Sequence, residues 1–129
     1  MPPISYRELC AALYRASLEE HHLDVVSGRF VLLARNRAGE VLRVGMDGVI
    51  GFRWITSSPR PSGAFELAIV GLERLGPAEP WRLYLNPSPG TELEVTSLRM
   101  TCNGEALAGI GRRYCDRPPE DGPVLPPSA

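Results

Sequence analysis

The chain has 129 residues, a net charge of −1 and 43% hydrophobic residues, which suits one small globular domain and excludes a disordered chain. Its 14 basic residues are all arginine, which rules out Schiff-base chemistry and a phosphate-binding lysine. The near-zero charge argues against nucleic acid or anionic lipid as a partner, since both need a basic excess, and no apolar run of about 18 residues offers a membrane span.

The N-terminal stretch MPPISYREL lacks the basic-then-apolar pattern of a secretory signal, so the expected location is the cytoplasm. Ser5 and Glu8 have capping-box spacing, in which a serine hydroxyl takes the amide three residues on and the glutamate reaches back. Tyr6, Leu9, Cys10, Leu13, Ala16 and Ser17 then recur at helical spacing, which predicts one amphipathic helix from Tyr6 to His21. His21 and His22 would close that helix. Adjacent residues diverge by about 100° around it, so they do not make a zinc-binding pair. The helix dipole would favour their cationic form, and a general base drawn from either is a weaker alternative.

From Gly28 onward the pattern is strand and turn. RFVLLAR is apolar on both faces, as in a strand covered on both sides. Asp47-Gly48 predicts a two-residue hairpin that sets Met46 opposite Val49. SSPRPSG, residues 57–63, reads as a loop because proline donates nothing to a ladder. In AFELAIVGLERL the apolar phase changes near Gly71, which predicts a bulge there. WRLYLN alternates regularly, with Trp81, Leu83 and Leu85 on one face. Trp54 and Trp81 are core residues by default, and an exposed one would serve as a binding platform.

The last ordered stretch is TCNGEALAGIGRRYC. Asn103-Gly104 predicts a type I′ turn that opposes Met100 and Leu107. A helix starting at Glu105 is the alternative, weakened by its two interior glycines. Leu93 and Val95 are out of phase with Leu98 and Met100, so a bulge is expected near Thr96 or Ser97. The hairpin separates Cys102 from Cys115 beyond disulfide reach. With Cys10 the thiols number three, with no C-x-x-C spacing, and are expected to be reduced. Cys115 is the weak candidate for a reactive thiol because arginines flank it. Arg112 and Arg113 are candidate anion ligands, although neighbours on a strand point to opposite faces. Neither a nucleotide loop nor metal spacing is present, so no cofactor and no metal is expected.

Residues 1–115 should form one α+β domain, mainly β. One N-terminal amphipathic helix packs on an antiparallel meander of six to eight strands, barrel-like or a sandwich. Residues 116–129 should form a proline-rich extended tail. The expected function is a non-catalytic protein-interaction or assembly module, whose partner is another protein or a second copy in a homodimer. A small-ligand-binding β-barrel or cup is the alternative. A small enzyme using a His/Cys/Arg cleft ranks below both.

Overall fold

The computed structural model describes residues 4–56, 65–88 and 91–116. The 57–63 loop and the tail beyond Asp116 therefore lie outside the described residues. Helix α1 (Tyr6–Leu13) starts on a complete capping box: the Ser5 hydroxyl takes the Glu8 amide and the Glu8 carboxylate takes the Ser5 amide. Tyr6, Leu9, Cys10 and Leu13, spaced i, i+3, i+4 and i+7, turn inward and are buried. The helix packs on strands β5 (Ile69–Arg74) and β9 (Gly111–Cys115).

The helix is shorter than its periodicity predicts. Tyr14 is already extended and Arg15 has φ 68°. The Arg15 amide then donates to Leu67 O, and the Leu67 amide to Ala16 O. Sheet pairing thus satisfies the backbone that further helix would have satisfied, and tertiary structure overrides the local pattern. Strand β1 (Ser17–Asp24) follows and carries both histidines, so neither lies at a helix end.

Strands β1, β2 (Arg29–Arg35) and β3 (Val41–Thr56) form one meander. Strands β5, β6 (Trp81–Ser88) and β7 (Thr91–Cys102) form a second. A long β3–β7 ladder, from Val44 opposite Cys102 to Thr56 opposite Thr91, joins them. Two short strands complete the sheet: β4 (Phe65–Glu66) on β1 and β8 (Glu105–Ala106) on β7. All ladders are antiparallel, in the order β4-β1-β2-β3-β7-β6-β5-β9. The sheet is not closed, although the segment leaving β4 touches both halves: Leu67 pairs with Ala16 and the Ala68 amide donates to Asn86 O. The inner face carries one core, in which Phe30, Leu32, Met46, Leu72, Leu83 and Leu93 are fully buried.

Asp47-Gly48 is not a hairpin. Strand β3 runs straight through it for 16 residues. Gly48 has φ 68° and faces Leu98, so the left-handed glycine bends the strand without reversing it. An Asp-Gly pair permits a type I′ turn but does not impose one. Here β2 and β7 flank the pair, and an Arg29–Asp47 ion pair of 2.8 Å ties it to β2. A register shift does fall opposite Thr96 and Ser97, but its extra residue is Ile50, between Val49 and Gly51 on β3, and not on β7 where the sequence predicts it. The bulge expected at Gly71 is absent, because that residue pairs regularly with Tyr84 and Tyr114. Its phase change falls earlier, where the chain passes from β4 to β5.

The Asn103-Gly104 turn is present, with φ of 53° and 87°. Cys102 opposes Glu105, and the Leu107 amide donates to Met100 O. The outgoing strand then leaves β7. Ala108 bridges Ser5 beside α1, and residues 111–115 pair with β5. Cys102 and Cys115 therefore lie on β7 and β9, with β6 and β5 between them.

Candidate functional site

Past Asp47, β3 loses its partner on one side. The Asp47–Arg29 pair ends the ladder to β2, and the Val49 amide donates to Gly28 O just beyond it. From Ile50 to Thr56 only β7 is paired with β3 among the described residues. This half-strand carries Ile50, Phe52, Trp54 and Ile55, all exposed to solvent. Ile50 is 62% exposed, and Leu98, which packs against Gly48, is 56% exposed. The β1–β2 turn beside Val49 adds Val25 and Val26, the latter 98% exposed. Exposed apolar side chains thus run along this half-strand and the turn beside Val49.

Phe52 and Trp54 lie opposite Val95 and Leu93, so they face the core side of the sheet. There the Trp54 ring lies 4.8 Å from His21, His21 6.1 Å from Phe30, and Phe30 5.7 Å from Phe52. The aromatic row runs from the exposed strand edge into the core. Burial holds the His21 imidazole below its ordinary pKa of 6.5, and the like charge of His22 adds to this. The unfolded chain thus takes up the proton more readily than the folded one. The His21 contribution is present above pH 6.5 and is lost as pH falls below it. We expect the unfolding temperature to drop between pH 7.5 and 5.5, and His21→Phe to flatten that drop. An unchanged slope in the variant would contradict a neutral, packed His21.

The other sequence candidates are dispersed. His22 is exposed and opposes Val31. Trp81 is buried, with the Arg74 guanidinium 4.6 Å above its ring. Arg112 and Arg113 point to opposite faces, as strand alternation requires. Arg112 binds Glu73 at 3.0 Å, and Arg113 lies opposite Leu72 with its carbonyl accepting the Cys10 thiol. Cys115 is half-buried, its sulfur 3.7 Å from that of Cys10.

An open groove of about 270 Å³ crosses the outer face between Tyr84, Tyr114, Glu73, Arg82, Arg112 and Glu94. Gly71 forms its floor, because a Cβ there would come within 3.2 Å of the Tyr114 ring. Glu73 holds both Arg112 and Arg82, and Glu94 holds Arg53 at 3.4 Å. These charges are matched across strands, a solvated ladder whose members each contribute little. Burial raises the Tyr84 pKa. Among the described residues no cluster of three or more His, Cys, Asp or Glu could hold a metal, and no helix is long and apolar enough to cross a membrane.

Sequence reasoning missed Ile50, Ile55, Leu98, Val25 and Val26 as surface residues. The available signals were two apolar residues out of phase with their strands and a Val-Val pair inside a turn. No known protein family, no curated protein and no solved structure matches this chain.

Proposed function

We propose that this domain is a protein-interaction module that takes an extended segment of a protein partner, or of a second copy of itself, along the free half of β3. The observation that carries this reading is the apolar stretch from Ile50 to Ile55, which among the described residues pairs with β7 alone. An open strand supplies a row of unused amides and carbonyls, and flanking side chains supply specificity. The two terminal edges of the sheet are poor alternatives. Strand β4 has two residues, and β9 has five, of which Arg112 and Arg113 are two. Short length is an ordinary defence against unwanted pairing. The β3 edge offers only Arg53 among apolar neighbours, and that charge is neutralised by Glu92 and Glu94.

A small-ligand cup is less well supported, because the groove on the outer face is open to solvent. Catalysis is weaker still: His21 and Cys115 belong to β1 and β9, far apart in the strand order. The test is a charge placed on the edge without disturbing the core. Ile50→Asp and Ile55→Asp change exposed side chains and should keep the unfolding temperature within about 2 °C, since surface changes usually cost under about 0.5 kcal/mol. Each should weaken binding to a partner captured from the source cells, or self-association in sedimentation equilibrium, about tenfold or more, equivalent to roughly 1.4 kcal/mol. Equal binding by the wild type and both variants would remove this edge from the interface.

A further inference from the structure

We propose that Cys10 and Cys115 form a reversible intramolecular disulfide when the protein meets a peroxide. Their sulfurs are already in contact at 3.7 Å, although the residues are 105 positions apart in sequence. Cys10 projects from α1, fully buried, and its thiol donates to the carbonyls of Val70 and Arg113 at 3.5 Å each. Cys115 sits on the edge strand β9, half-buried. The two thiols are held in register by the packing of α1 on β5 and β9, so bond formation needs side-chain rotation and no rearrangement of the fold.

Exposure sets the order of events. The Cys115 sulfur, as thiolate, attacks one oxygen of hydrogen peroxide. The O–O bond breaks, leaving Cys115 as a sulfenic acid, and the departing hydroxide takes up a proton to become water. The Cys10 sulfur then attacks the sulfenic sulfur, the S–O bond breaks, and the hydroxyl leaves with the Cys10 proton as a second water. Two thiols have lost two electrons and one peroxide has been reduced to two waters. Burial raises the pKa of Cys10 well above the ordinary thiol value, and the adjacent Cys115 adds to this. Cys10 is therefore a poor first target, and it is its contact with the Cys115 sulfur that places it to resolve the sulfenic acid. Cys102 is buried on β7, separated from β9 by β6 and β5, and serves as an internal control.

The bond would clip α1 to β9, which among the described residues only β5 holds through a ladder. Closing a loop of this length constrains the unfolded chain strongly. The experiment treats the full chain with hydrogen peroxide, alkylates the free thiols and maps the peptides by mass spectrometry. Expected are a Cys10–Cys115 linkage with the loss of two hydrogens, Cys102 recovered alkylated, and reversal by dithiothreitol. The unfolding temperature should rise by about 5 °C or more on oxidation, and this oxidation-dependent rise should be absent in Cys115→Ser, whatever that variant's own starting stability. Linkage through Cys102, linkage between chains, accumulation of Cys115 sulfinic acid beside an alkylated Cys10, or no change would each overturn the proposal.

Discussion

Gly111→Ala is expected to destabilise the domain by about 2–5 kcal/mol, as read from the midpoint of urea unfolding. Two costs add. Gly111 has φ 142° and neighbouring Gly109 has φ 102°, conformations in which a side chain costs about 1–2 kcal/mol. A Cβ on Gly111 would also overlap the Tyr6 hydroxyl, and one on Gly109 would lie 2.7 Å from the Tyr6 ring. Tyr6 is buried in the first turn of α1, and its amide donates to Ala108 O. It cannot move aside without freeing the helix from the strand beneath, and overpacking of that kind costs about 1–3 kcal/mol. Gly109→Ala should behave similarly. Gly104→Ala is the control: φ is 87° but nothing lies within 4 Å, so only the backbone cost of about 1–2 kcal/mol should remain. Equal losses at all three positions would show that the Tyr6 contact contributes nothing.

The second large effect is expected at Phe30. Its ring is fully buried, lies opposite Met46 and Leu23, and touches both His21 and Phe52. Phe30→Ala removes the buried ring and leaves a cavity, at a cost of about 3–5 kcal/mol. A domain of this size has about 5–15 kcal/mol in total, so the unfolding temperature should fall by roughly 10 °C or more. The change should also loosen Phe52 and Trp54, because the aromatic row that anchors the β3 edge loses its inner member. Tryptophan fluorescence of the folded variant should therefore shift to the red. A loss below about 1 kcal/mol with unshifted emission would mean that the row is not a packed unit.

Features whose cause lies within a few residues were legible in the sequence. The Ser5–Glu8 capping box and the Asn103-Gly104 turn each satisfy backbone groups locally, and both are present. A register shift falls beside the expected position on β7, but its extra residue, Ile50, lies on β3 and was not legible. The α+β class, mainly antiparallel with one N-terminal helix, followed from short strands and frequent turns.

What was not legible depended on distant partners. The helix ends at Leu13 because Leu67, more than fifty residues on, claims the amide and carbonyl of residues 15–16. Asp47-Gly48 stays within one strand because β7 arrives from the far end of the chain to pair with it. The contact of Cys10 with Cys115 depends on α1 crossing β9, which no spacing encodes. The exposed β3 edge was hidden for the same reason. VIGFRWIT reads as an apolar strand whether or not a neighbour covers it, and only the register of β2 shows that its ladder ends at Asp47, with one further bond at Val49.

The docking edge is tested most directly by hydrogen exchange at the backbone amides of residues 50–56, in the isolated chain and in its assembly. In dilute isolated protein, alternate amides along this half-strand should exchange quickly, while those bonded to β7 stay protected. In the assembly the fast ones should slow by about tenfold or more, the signature of an added strand. Fast exchange that persists in the assembly, with protection gained on another face, would contradict the β3 edge as the docking surface.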